Sequence, residues 1–185
     1  MDKTKIKIVL FAVLIFFSSC FPYRRTASKG NRKPYIIFYV DVSVNQYFFK
    51  PQKFKNKNLK EFLTIDFTFR DTLKPQSLAI VNYSLFSFNP ISNIDSIILF
   101  SDGRSYQLRQ CKRLFIRKAH KRYEIRYSCR LSYKSILEYF DGKYYKVEVI
   151  INGKRIDFEP TKRTLKNYAI FYNDVISLIK LNSRQ

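Results

Sequence analysis

Tryptophan is absent from this chain, histidine occurs once and cysteine three times. There are only 4 glycines and 6 prolines, and 14 acidic residues stand against 35 basic ones. No apolar run approaches the roughly 20 residues that a membrane-spanning helix needs. Each shortage excludes something. One histidine and three dispersed cysteines do not supply the clustered ligand set of a zinc site. No glycine-rich phosphate loop, G-x-S-x-G or H-E-x-x-H occurs. The sequence therefore implies no cofactor and no metal, and offers no recognisable catalytic set. Scarce glycine and proline, with 46% hydrophobic residues, also argue against a low-complexity or disordered chain.

Positive charge and aromatic rings are abundant. The formal net charge is +21, and 18 Phe and 14 Tyr bring the aromatic share to 17%. Such a field attracts anions over a Debye length of about 8 Å at physiological salt. It suits an anionic lipid, an acidic glycan, nucleic acid or an acidic protein.

The first 20 residues carry an address. Lys3, Lys5 and Lys7 form a basic start, Ile8 to Phe17 an unbroken apolar run, and Ser18 and Ser19 lead to Cys20. That is the layout of a secretory signal peptide over residues 1–19. Phe17-Ser18-Ser19-Cys20 resembles the lipobox of bacterial lipoproteins, with phenylalanine where leucine is usual. The resemblance implies cleavage before Cys20, a diacylglycerol on its thiol and an acyl chain, such as palmitate, on its new amine. It implies an exported protein of the bacterial cell envelope, held on the periplasmic side of the outer membrane. Cleavage just after Cys20 is the alternative. Several acyl chains anchor firmly where one holds only marginally. Losing residues 1–19 removes three lysines and Asp2, a change of two, so +19 remains. Residues 20–34 then form the anchor and a basic tether, with Arg24, Arg25, Lys29, Arg32 and Lys33 facing no acid in the segment. Beside an anionic surface each cation contributes about 1 kcal/mol.

From residue 35 to 185 the pattern is that of a single β domain. Ile36, Phe38, Val40, Val42 and Val44 alternate with Ile37, Tyr39, Asp41 and Ser43, as do Leu63, Ile65, Phe67 and Phe69 with Thr64, Asp66 and Thr68. Both read as half-buried strands. A looser strand covers 78–88, and the lysine-rich Lys50–Lys60 reads as a loop. Asp102-Gly103 predicts a hairpin that pairs Leu99 with Tyr106 and Ile97 with Leu108. Asn152-Gly153 predicts another, pairing Val149 with Ile156 and Val147 with Phe158. A third turns near His120. A short helix is expected near 133–140, capped by Ser132, and a C-terminal helix near 165–181, although Tyr168–Tyr172 also suits a strand. About eight strands with no βαβ alternation predict a mainly β fold, an antiparallel β-sandwich of immunoglobulin-like type.

Cys111 and Cys129 flank the third hairpin symmetrically. Export would place them in an oxidising compartment, which favours a disulfide. The apolar pattern pairs Ile116 with Ile125 and Leu114 with Tyr127, one residue out of register with that bond. A bulge near Lys112 and Arg113 reconciles the two. The same hairpin concentrates Arg113, Arg117, Lys118, Lys121 and Arg122, the expected contacts to an anionic surface. Nucleic acid is disfavoured as the partner because export removes it from reach. These readings converge on a lipid-anchored envelope protein whose domain binds or scaffolds without catalysis. The alternative is an exported or anchored hydrolase with a carboxylate-built site, for which Asp66 with Asp71 and Asp157 with Glu159 are the nearest pairs.

Overall fold

A computed structural model describes residues 33–41, 44–58, 60–71 and 77–182. The signal segment, Cys20, Arg24, Arg25, Lys29 and Arg32 lie outside the described residues. Ten strands follow in chain order: β1 Tyr35–Asp41, β2 Val44–Lys55, β3 Phe62–Arg70, β4 Leu78–Ser87, β5 Ser96–Ser101, β6 Arg104–Gln107, β7 Arg109–Ala119, β8 Arg122–Ser132, β9 Tyr145–Ile151 and β10 Lys154–Pro160. Helix α1, Tyr133–Phe140, separates β8 from β9. After β10 come α2, Lys162–Phe171, a π-helical turn, Tyr172–Ile176, and α3, Ser177–Asn182.

The strands form one antiparallel sheet in the order β6-β5-β9-β10-β2-β3-β4-β8-β7, with β1 also paired to β2. It curls as a half-barrel and does not resolve into the two facing sheets of the expected sandwich. The physical reason lies in what fills the concave side. There Phe49 packs against Phe140 of α1 and against Tyr168 and Phe171 of α2, all with ring centroids within 5.5 Å. Helices thus take the place of a second sheet. Each fully buried ring contributes roughly 1.5–3 kcal/mol. The turn from one limb of the sheet to the other is narrow: β10 meets β2 only at Glu159–Lys55 and Pro160–Phe54.

Both glycine turns form as the sequence implies. Asp102 and Gly103 have φ of 48° and 78°, Asn152 and Gly153 of 50° and 71°, the left-handed geometry of the hairpin turn. Leu99 pairs with Tyr106, Val149 with Ile156 and Val147 with Phe158. Ser132 caps α1 by accepting a bond from Ser135 N at 3.1 Å. The C-terminal segment is helical, not a strand. Its cap is Thr161, whose hydroxyl accepts from Thr164 N, while Thr164 Oγ1 donates to the Lys53 carbonyl at 2.6 Å.

Two expectations along the chain are corrected. Lys50–Lys55 is strand, not loop, because β2 carries one extra residue between Phe49 and Gln52. That bulge, with Pro51 in it, switches the buried positions from Tyr47 and Phe49 to Gln52 and Phe54. It hides the alternation from a reader counting by twos. The stretch read as one half-buried strand over 36–44 is instead β1 followed by the start of β2, and β1 past Tyr35 is exposed.

Candidate functional site

The cations of the third hairpin lie at one border of the sheet. β7 is the last strand in the order, and every residue along it except Phe115 and Ala119 is exposed. The Cys111–Cys129 disulfide ties β7 to β8. Two bulges reconcile that bond with the apolar register. One lies between Arg109 and Lys112, where Gln110 takes a positive φ of 50°, and one between Arg113 and Phe115. Ile116 pairs with Ile125 as expected, but Arg113, not Leu114, stands opposite Tyr127. The second bulge expels Leu114, and it and Ile116 are exposed. β7 therefore contributes little to the core and holds its charges outward.

Each hairpin cation is placed differently. Arg113 Nη1 donates to the Ser92 carbonyl at 2.7 Å. Arg117 reaches the buried Glu124 through Nε at 2.8 Å and Nη2 at 2.7 Å. Lys118 is the last cation of β7, one residue before its end at Ala119, and Lys121 sits in the turn beside the exposed His120. Arg122 donates from Nη2 to the Lys60 carbonyl at 3.2 Å. Of the five, only Arg117 has a carboxylate at salt-bridge distance among the described residues. Lys112 shares that condition with the other four.

Next to the turn, on the convex face, lies a cluster that sequence reasoning missed. Phe62 and Phe86 stack with centroids 4.4 Å apart. Lys53 lies over Phe62 at 3.8 Å, and Arg122 lies against Phe62 at 5.3 Å and Phe88 at 4.6 Å. Such cation–ring contacts hold the charges in fixed places on an open face. Burial, then the charges of Lys55 and Arg122, lowers the pKa of Lys53. A signal was available. Leu63, Ile65, Phe67 and Phe69 fill the core side of β3, which places Phe62 and its partner Phe86 on the outer side. Alternation alone could not bring β2, β3, β4 and β8 together there.

Lys33, the one tether cation described, is tied down. Its Nζ lies 3.3 Å from Asp174 Oδ2 and 2.9 Å from the Tyr35 hydroxyl, which itself donates to Asp174 at 2.8 Å. Those hydrogen bonds, Tyr35 first, raise the pKa of Lys33 and hold Asp174 below the usual carboxylate range. The start of β1 is thereby fastened to the π-helical turn. From β1 to β7 the sheet crosses five strand spacings, about 24 Å at 4.8 Å each. The start of β1 and the hairpin thus lie at opposite borders of the same limb.

The buried carboxylates do not converge. Asp66 accepts from Arg126 Nη2 at 2.7 Å and Asn82 Nδ2 at 2.8 Å. Glu124 holds Arg117, and Glu148 faces Lys146 and Arg155. Asp71 accepts bonds from Asn45 and Tyr47, Asp157 pairs with Lys146, and Glu159 with Lys57. No group of three metal-ligating side chains occurs among the described residues. One open cleft of about 560 Å³ is lined by Arg109 and Arg130 with serines and Tyr106, and by no acid among the described residues. Among the described residues no helix is long and apolar enough to cross a membrane. No protein-family model, curated protein or solved structure matches this chain.

Proposed function

We propose that this protein is a lipid-anchored component of the bacterial cell envelope, on the periplasmic side of the outer membrane. Its β-domain binds or scaffolds at an anionic surface without catalysis. The signal segment and lipobox support the anchoring. The observation that carries the binding role is the exposed cationic border. Lys112, Arg113, Lys118 and Lys121 stand exposed on a disulfide-tied hairpin, with Arg122 half-buried against Phe62 and Phe88 beside them, and no carboxylate is paired to any of the five among the described residues. Partners of matching chemistry are anionic lipid headgroups, an acidic glycan or an acidic envelope protein. The hydrolase alternative is disfavoured because Asp66, Glu124 and Glu148, the fully buried acids among the described residues, each face cations or amides rather than another acid.

Flotation of the purified chain with phosphatidylglycerol-containing and with purely zwitterionic vesicles tests the binding role. Both vesicle types accept the lipid anchor, so the difference between them reports the cations. Retention should be greater on the anionic vesicles, and the excess should fall steeply between 50 and 500 mM salt, on the order of tenfold or more given the screening involved. Equal retention on both, unchanged by salt, would contradict it.

A further inference from the structure

We propose that the cleft at the corner where the two borders of the sheet meet is a binding site for a phosphomonoester, held by Arg109 and Arg130. This does not rest on the anionic-surface reading of the hairpin, whose turn lies at the other end of β7 and β8. β6 and β7 are the two ends of the strand order, yet only Leu108 separates them in the chain. The curled sheet therefore brings its borders together at Gln107 and Arg109. The cleft of about 560 Å³ is lined there from β4, β6, β7, β8 and the start of α1. Small-molecule sites favour the mouths of barrels and occupy roughly 300–1,000 Å³.

The first observation is charge. Arg109 and Arg130 are register partners across β7 and β8 and line the same cleft. Like charges directly opposite each other destabilise a strand pair. Neither arginine has a carboxylate at salt-bridge distance among the described residues, and Asp2 is the one acid of the chain outside them. Two guanidiniums facing one space match a dianion. A phosphomonoester carries about 1.5–2 negative charges at pH 7 and three acceptor oxygens. The planar fork of arginine meets phosphate through two bonds at once. A carboxylate brings one charge and leaves the second arginine unmatched.

The second observation is how the pair is held. Gln110, which also lines the cleft, has a φ of 50° in the bulge between Arg109 and Lys112. A side chain in that left-handed region is strained and persists only where its surroundings fix it, and such strain gathers at binding sites. The Cys111–Cys129 bond fastens β7 to β8 beside the two arginines. The third observation is spare donors. Ser132 Oγ accepts from Ser135 N at 3.1 Å and lies 2.7 Å from Ser135 Oγ. Whichever hydroxyl donates in that pair, the other keeps its hydrogen for a ligand. Tyr106 lines the cleft as well, and its buried hydroxyl makes no hydrogen bond among the described residues. Burial raises its pKa against the effect of Arg104, so it stays a donor. Serines and glutamines around the arginines suit the hydroxyl-bearing body of a glycerol or sugar phosphate.

Two probes test this on the purified full chain in neutral detergent or on vesicles. One is calorimetric titration with glycerol 3-phosphate. The other is the excess retention on phosphatidate vesicles over phosphatidylglycerol vesicles of equal charge. Both present a phosphomonoester, one free and one on a lipid. Arg109→Gln or Arg130→Gln should weaken the response about tenfold or more. Lys118→Gln with Lys121→Gln, at the hairpin turn, should leave it unchanged. Dependence on the two arginines with glycerol 3-phosphate alone assigns a soluble ester, and with phosphatidate alone a headgroup. Both arginines are exposed, and relief of the like-charge contact should leave the ligand-free Tm of each variant unchanged or higher, so lost binding is not lost folding. Arginine dependence with neither probe, an equal loss from the hairpin variant, or tighter binding of glucuronate than of glycerol 3-phosphate would overturn the site.

Discussion

Replacing Arg126 by methionine should be among the most damaging single changes on the outer face of the sheet. Asp66 is only 1% exposed although it belongs to the convex side of β3. It survives there because Arg126 Nη2 at 2.7 Å and Asn82 Nδ2 at 2.8 Å occupy its oxygens, and Arg126 is fixed in turn by Ser84 Oγ at 3.0 Å. Arg126→Met leaves an uncompensated buried carboxylate, which costs about 3–5 kcal/mol. For a chain of this size each kcal/mol moves Tm by about 2–4 °C, so the loss should be roughly 6–20 °C. Adding Asp66→Asn removes the stranded charge and keeps an acceptor for Asn82. The double variant should therefore recover most of the loss, since an apolar or neutral replacement of a whole buried pair is often near neutral. Thermal unfolding followed by circular dichroism on the parent, both single variants and the double completes the cycle. A loss below about 1 kcal/mol for Arg126→Met, or a double variant no better than the sum of the singles, would refute the reasoning. It would also return Asp66 to consideration as a functional acid.

Reversing the charges of Arg113, Arg117, Lys118 and Arg122 to glutamate should abolish most of the salt-sensitive retention on anionic vesicles. Arg113→Gln with Lys118→Gln, which leaves the Arg117–Glu124 pair intact, should reduce it in part, and retention that ignores both variants would count against the border as the contact. The Cys111–Cys129 bond, which spans 18 positions, should show as a two-hydrogen mass gain on reduction. The Cys111→Ser, Cys129→Ala double variant should lose about 3 kcal/mol in thermal unfolding by the loop-entropy relation, and an unchanged Tm would show that β7 needs no tie.

The elements with local signals were legible in the sequence. The Asp102-Gly103 and Asn152-Gly153 turns fix their own registers, and Ser132 marks the start of α1 through a bond three residues on. What escaped depends on single inserted residues or on distant partners. One extra residue beside Pro51 hid the second half of β2, and one at Leu114 turned an apolar pair out of the core. The exposure of β1 was illegible because its alternation is that of a buried strand. Only the placement of its neighbours shows that nothing among the described residues covers it. The sandwich expectation failed for a similar reason. Strand count and alternation carry no record of whether a second sheet or a pair of helices closes the concave side, and Phe49 packs on helices. Of the candidate site, the cations of the hairpin were readable as a charge run. The rings that seat Arg122 and Lys53 come from β3 and β4 and needed the fold.

Intact-mass analysis of the native chain, recovered from fractionated cells, tests most directly whether this cationic half-barrel works at the envelope. A chain that begins at Cys20, is heavier than its polypeptide by a diacylglycerol and an acyl group, and sediments with the outer membrane is the predicted result. A chain that retains residues 1–19, or that is found unmodified in the cytosol, would contradict it.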